Sequence, residues 1–291
     1  MKNASLFPGQ GSQFPGMGKE LYESNPQAKE LFEQANEILG FRITDIMFGE
    51  DADALLATRV TQPAVFLHSA VVALCNNIHS DMVAGHSLGE FSALAAIGAI
   101  SFKDALTLVA IRAEAMQKCC EKAHGAMAAI IGAEEQLVED ACRNAGGIVV
   151  PANYNCDSQI VISGEEEAVD AAMEILSQAG IRKMIRLKVG GAFHSPLMEP
   201  AREELAHAIN DIEFRTPACR IFQNVDALPE TSPEKIKEKL LLQLTSPVRW
   251  TSTIRNMVTE GATSFTTIGP GKVLQGLNKK IIPEIETIML S

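Results

Sequence analysis

Gly85-His86-Ser87-Leu88-Gly89 follows a short apolar stretch, Asp81-Met82-Val83-Ala84, and runs into Glu90-Phe91-Ser92-Ala93-Leu94-Ala95-Ala96. This reads as strand, sharp turn, helix, and a Gly-x-Ser-x-Gly in that setting is a nucleophile elbow. Such a turn pushes the serine backbone toward a strained conformation, and flanking glycines remove the Cβ atoms that would clash. Ser87 Oγ then stands at the N-terminus of the following helix, whose free N–H groups and partial positive charge suit an oxyanion. The plainer alternative is a glycine-rich turn with an incidental serine. The strand-turn-helix context weighs against it.

Outward from the elbow the elements are those of an α/β protein. Upstream, Leu6-Phe7 is a short strand and Pro8-Gly9-Gln10-Gly11-Ser12-Gln13 a loop. Lys19 to Leu39 holds two helices broken at Asn25-Pro26, and Pro63 to Ile78 is a buried helix with Pro63 near its N-terminus. Downstream, Ser101-Phe102-Lys103-Asp104 has the form of a capping box that opens a helix to about Lys122. The texture then changes. Gly125 to Ile131 is a strand, and Glu134 to Asn144 a helix. Ile148 to Asn155 and Gln159 to Ser163 are strands about a tight turn. Glu165 to Gln178 is a helix, and Lys183 to Val189 an alternating strand. That βαββαβ order is the ferredoxin-like arrangement. Placed between elements of a larger core, it predicts an inserted subdomain at 124–190, core segments 1–123 and 191–291, and an exit hinge at Gly190-Gly191. Helices at Pro196 to Ile209, Pro233 to Leu244, Thr251 to Thr259 and Lys272 to Lys280 complete the core, with strands at Cys219 to Phe222 and Ser264 to Ile268.

Composition narrows the function. A chain of 291 residues that is 46% hydrophobic can bury a sizeable core. A net charge of −11 argues against a nucleic-acid surface. No run approaches the ~18 apolar residues of a membrane span, and the N-terminal residues lack the apolar region of a signal peptide. The six cysteines form no Cys-x-x-Cys and no zinc-like spacing. They read as reduced thiols of a cytoplasmic protein. No metal and no bound cofactor are expected.

A serine nucleophile needs a base. His86 adjoins Ser87 and leaves the turn in a different direction, His68 and His79 belong with the preceding helix, and His207 suits a solvated face. His194 lies in Gly190-Gly191-Ala192-Phe193-His194-Ser195-Pro196, a loop entering a helix downstream of Ser87. Ser before His is the chain order of α/β-hydrolase-type sites. No acidic third member is obvious, since Asp157 and Asp170 fall in the inserted segment. A backbone carbonyl is the other way to fix the imidazole tautomer. Arg112 sits mid-helix among apolar residues, and a buried arginine needs an anion. The candidates are Glu114 or Glu90 internally, or a substrate carboxylate held by the guanidinium fork.

Together these strings resemble the malonyl-CoA:acyl carrier protein transacylases over essentially the whole chain. The likeness runs through Pro8-Gly9-Gln10-Gly11-Ser12-Gln13, Thr61-Gln62-Pro63-Ala64, Gly85-His86-Ser87-Leu88-Gly89-Glu90, Arg112 with Met116-Gln117, and Gly125-Ala126-Met127-Ala128-Ala129-Ile130. It continues in Asn153-Tyr154-Asn155, Gln159-Ile160-Val161-Ile162-Ser163-Gly164, Phe193-His194-Ser195-Pro196-Leu197-Met198 and Gln243-Leu244-Thr245-Ser246-Pro247-Val248-Arg249-Trp250. The resemblance implies an α/β-hydrolase-like core with a parallel sheet and a ferredoxin-like insertion. It implies ping-pong transfer of malonyl from malonyl-CoA to the phosphopantetheine thiol of acyl carrier protein. Ser87 would attack, His194 act as base, and backbone N–H groups of Gln10 and Leu88 hold the oxyanion. Arg112, oriented by Gln62, would pair with the malonyl carboxylate, and the main-chain carbonyl of Gln243 would steady His194. Many bacterial members carry a short polar residue before the histidine. Ala192-Phe193-His194 instead looks like the signature of malonyl-selective polyketide synthase domains. Phe193 either crowds the acyl α-carbon or simply packs its loop.

The rival reading is a serine hydrolase or thioesterase on a related fold. A non-catalytic carrier-docking module would predict loss of Ser87 or His194, and both are present. Carrier proteins are acidic, so docking onto this acidic chain needs a local basic patch. Arg182, Lys183, Arg186 and Lys188 supply one candidate, and Lys272, Lys279 and Lys280 another. A monomer is expected.

Overall fold

The strand leading into Ser87 lies inside a six-stranded sheet. The computed structural model describes residues 2–122 and 124–291. Residue 123, the expected end of the first core segment, lies outside them. The strands are β1 (Lys2–Phe7), β2 (Met82–Gly85), β3 (Gly125–Ile131), β4 (Val149–Cys156), β5 (Gln159–Glu165), β6 (Lys183–Arg186), β7 (Arg220–Phe222), β8 (Pro229–Glu230), β9 (Ala262–Ile268) and β10 (Thr287–Leu290). The larger sheet runs β10-β9-β1-β2-β7-β8 and is parallel except where β8 turns back on β7. Its central strands β1 and β2 bury apolar side chains on both faces, as a sheet covered on both sides requires. Ala4, Leu6, Met82 and Ala84 pack against Trp250, Ile254 and Leu274 on one side, while Phe7 and Val83 join the larger helical core on the other. Phe7 pairs with Gly85, so the Pro8 loop and the Ser87 turn leave neighbouring strands side by side at their carboxyl ends. Ligands of open parallel sheets bind at that edge.

The smaller sheet is antiparallel in the order β4-β5-β3-β6. Strand alternation divides β3 between two cores. Ala126, Ala128 and Ile130 meet Val138, Val169 and Leu176 of helices Glu135–Asn144 and Glu166–Gln178. Met127 and Ala129 face the main core instead. Strand β4 is tied to the segment that enters helix Trp250–Thr259, where Tyr154 N–H donates to Val248 O (2.9 Å) and Val248 N–H to Ala152 O (2.8 Å).

Several elements differ from their sequence readings. The buried helix spans Thr58–Cys75, which puts Pro63 inside it and His79 beyond its end. Val60 and Thr61 N–H both donate to Ala57 O (2.8 Å each), so the first turn is closed before proline breaks the ladder. Strand β6 stops at Arg186, although Leu187 N–H still donates to Met127 O (2.9 Å). Leu187 and Val189 then line a cleft. Gly191 serves close packing, since a Cβ there would lie 2.2 Å from Cys120 Sγ. The edge strand β10 had no sequence counterpart, because its half-exposed residues carry no buried apolar run.

Candidate active site

Ser87 adopts φ 52°, a left-handed conformation that is uncommon outside glycine. The turn needs its glycines for space. A Cβ on Gly85 would stand 1.9 Å from the Gly89 carbonyl carbon, and one on Gly89 would stand 2.1 Å from Phe7 O. Asn224, just after β7, clamps the turn. Its Oδ1 accepts the Ser87 N–H (2.7 Å) and its Nδ2 donates to Gly85 O (2.7 Å). Gln243 Nε2 donates to Ser87 O (3.0 Å).

His194 also has positive φ, 57°. Its Nε2 lies 2.8 Å from Ser87 Oγ. Its Nδ1 faces two acceptors, Gln243 O (2.9 Å) and Ser246 O (3.2 Å), so the Nδ1 position carries the proton and Nε2 is a bare acceptor. Burial, reinforced by the Arg112 charge, holds the imidazole down to about 3. The ring is therefore neutral at pH 7.

Arg112 is 1% exposed. Its Nη1 donates to Gln62 Oε1 (2.5 Å), and its Nη2 to Gln243 Oε1 (3.1 Å) and Ser87 Oγ (3.1 Å). Its Nε has no partner, and among the described residues no carboxylate forms an ion pair with it. Glu114 points to solvent, and Glu90 hydrogen-bonds Gln223 and Asn224 instead. Burial lowers Arg112 to about 10, which leaves it charged at neutral pH.

These groups open on a cleft of about 170 Å³. Gln10 and Leu88 line it, and among the described residues neither backbone N–H has an acceptor. Phe193 is 6% exposed and forms cleft wall with Met127, Val161 and Val189, so it packs its loop and bounds the site at once. Thus Ser87, His194, Arg112, Gln62, Gln243, Gln10, Leu88 and Phe193 come together in one place. Asp157 and Asp170 do not, being engaged on the surface with Arg255 and Arg186. Sequence reasoning missed Asn224, considered Glu90 only as an internal partner for Arg112, and gave no role to Asn155, whose Oδ1 lies 2.9 Å from His86 Nε2. The available signal for Asn224 was a polar Gln223-Asn224 pair directly after a core strand.

A strained serine at a parallel-sheet edge, hydrogen-bonded to a neutral histidine, is an arrangement shared with α/β enzymes that use a serine nucleophile. The acyl transferase domain model matches residues 5–286. A malonyl CoA-acyl carrier protein transacylase of Bacillus subtilis is 45% identical over all of this chain and 93% of its own length. The crystal structure of an acyl carrier protein S-malonyltransferase from Vibrio cholerae superposes with a TM-score of 0.96 at 39% identity, covering 100% of this chain and 97% of that one. A malonyl-transacylase solved in complex with its type II PKS acyl-carrier protein gives 0.95 at 37% identity, covering 99% of this chain and 96% of that one. The chain belongs to the acyl transferase domain family, and it is an acyltransferase.

Proposed function

We propose that this enzyme moves a malonyl group from malonyl-CoA to the phosphopantetheine thiol of an acyl carrier protein through a malonyl ester on Ser87. One observation carries the reading: Ser87 Oγ lies between His194 Nε2 (2.8 Å) and a buried, carboxylate-free Arg112 Nη2 (3.1 Å). In the first half-reaction His194 Nε2 takes the Ser87 proton as Oγ attacks the thioester carbonyl. The tetrahedral oxyanion meets the N–H groups of Gln10 and Leu88. Collapse breaks the C–S bond, and His194 returns the proton to the departing CoA thiolate. In the second half the pantetheine thiol gives its proton to His194, its sulfur attacks the ester, and Ser87 leaves with that proton. Throughout, Arg112 holds the malonyl carboxylate that an acetyl group lacks.

On this reading the parallel-sheet unit is a hydrolase-like core, the 124–190 segment is a ferredoxin-like insertion, and the acyl-enzyme forms between them. No cofactor takes part. Lys188 and Lys272 are exposed beside cleft-lining Val189 and Val273, which suits them to an acidic carrier, whereas Arg186 is already engaged by Glu166 and Asp170. No helix among the described residues is long and apolar enough to cross a membrane. A cytoplasmic monomer completes the proposal. Intact-protein mass spectrometry after incubation with malonyl-CoA tests the core of it. Wild type gains one malonyl group that an added pantetheine thiol removes faster than water does, and folded Ser87→Ala gains none. A label on another residue, or release to water alone, refutes the transfer.

A further inference from the structure

Glu90 lies three residues past Ser87 and is fully buried. Among the described residues it forms no ion pair. A core position that needed only filling would take an apolar side chain, because a buried carboxyl must recover its lost hydration from donors. Here the donors come from the end of β7. Glu90 Oε1 accepts the backbone N–H of Asn224 in a short hydrogen bond, and Oε2 accepts from Gln223 Nε2 (3.4 Å). Asn224 is the residue whose side chain grips both Gly85 O and the Ser87 N–H. Glu90's own N–H donates to Ser87 O (3.1 Å). The bonds therefore close a ring from Ser87 to Glu90 to Asn224 and back to Ser87.

We propose that Glu90 is a positioning residue for acyl transfer, its carboxyl fixing Asn224 and, through Asn224, the backbone of Ser87. Glu90 touches neither substrate nor the reacting atoms. Its effect is geometric. A left-handed serine persists only where its surroundings over-determine it. Remove the acceptor and the Asn224 N–H is left unsatisfied, the loop after β7 shifts, and both of Asn224's grips on the turn loosen. Ser87 Oγ then spends less time within reach of His194 Nε2. Burial raises the Glu90 carboxyl to about 7, and the Asn224 N–H is the first influence opposing that rise, in keeping with this bond being the principal one.

The inference rests on Ser87 being the nucleophile, so the experiment reads that first. Acylation by malonyl-CoA is followed by rapid quench and intact mass in wild type, Glu90→Gln, Glu90→Ala, Asn224→Ala and the Glu90→Ala/Asn224→Ala double variant. Thermal melting reports the folded fraction. Glu90→Gln keeps a carbonyl acceptor of the same reach, and its acylation rate stays within about fivefold of wild type. Glu90→Ala and Asn224→Ala each acylate roughly 30–100-fold more slowly per folded molecule, with KM within about threefold. The double variant is no slower than the worse single one, because both act on one link. Wild-type rates in Glu90→Ala, or losses that multiply in the double variant, overturn the proposal. Should Glu90→Ala not fold, Glu90→Gln and Asn224→Ala decide: a wild-type rate in Asn224→Ala, or an equal loss in both, overturns it. Absence of malonyl on Ser87 in wild type would instead refute the nucleophile itself.

Discussion

Replacing Arg112 with alanine tests substrate selection directly. The guanidinium is buried, charged and without a carboxylate partner, and one of its N–H groups already lies 3.1 Å from Ser87 Oγ. A malonyl thioester seated on Ser87 brings its free carboxylate to a planar fork that matches both oxygens. Two charge-assisted hydrogen bonds at about 1.5–3 kcal/mol each amount to about 3–6 kcal/mol. That corresponds to a selectivity of roughly 10²–10⁴ for malonyl over acetyl. Arg112→Ala removes these bonds and also the donor to Ser87 Oγ. The second loss slows both thioesters alike, so the ratio of their acylation rates isolates the first. The cavity left beside Gln62 and Gln243 lowers the melting temperature without entering the ratio. Quench-flow acylation with malonyl-CoA and acetyl-CoA gives that ratio for wild type, Arg112→Ala and Arg112→Lys. It should fall by about 10²–10⁴ in the alanine variant and recover only in part with lysine, a point charge that lacks the fork. An unchanged ratio in Arg112→Ala would show that the arginine is merely an interior hydrogen-bond partner.

Three further outcomes follow from the same geometry. His194→Ala should slow acylation by about 10²–10⁴ while leaving malonyl-CoA affinity within a few fold, and near-wild-type acylation would assign the base elsewhere. His68 is held down to about 4 by burial, below its unfolded value, so the unfolded chain binds the extra proton between those values. Its contribution to stability is complete above pH 6.5 and is lost as pH falls, at about 1.4 kcal/mol per pH unit. The unfolding free-energy gap between wild type and His68→Gln should therefore shift by that slope from pH 6.5 to pH 5, and a pH-independent gap contradicts it. Lys188→Glu should raise KM for an acidic carrier protein several-fold and spare free pantetheine, while equal effects on both acceptors would exclude docking at that residue.

The elbow was legible because its constraints are local. Two glycines and a serine at fixed spacing, between an apolar strand and an alanine-rich helix, leave few backbone solutions. The antiparallel unit was legible for the same reason, since its strands and helices follow one another closely along the chain. What escaped lies far apart in sequence. Asn224 reaches the Ser87 N–H across 137 positions, and the polar Gln223-Asn224 pair after a core strand does not say which group it meets. The partners of Arg112 show the limit most clearly. Local spacing suggested Glu114 or Glu90, yet the side chains that meet it are neutral amides 50 and 131 positions away. Only the packing of three helical segments decides that. Pro63 was misplaced because proline's preference for a helix start yielded to a long, largely buried helix that began about one turn earlier.

The use of neutral groups around Arg112 has a physical reason. His194 is anchored by a main-chain carbonyl where a Ser-His-Asp triad uses an acid, and the same residue, Gln243, also meets Arg112 and Ser87. An ionised acid behind His194 would sit in a dry site beside an unpaired guanidinium and would pair with it. The malonyl carboxylate would then arrive at a cation already neutralised. A carbonyl fixes the same tautomer and leaves the positive charge free. That charge also helps burial keep His194 unprotonated. On the proposed function, a bound malonyl carboxylate cancels the Arg112 field and raises the basicity of His194 at the moment the thioester reaches Ser87. An acetyl thioester brings no such charge and meets the weaker base. Arg112 then discriminates twice, through the hydrogen bonds it makes and through the field it stops imposing on His194.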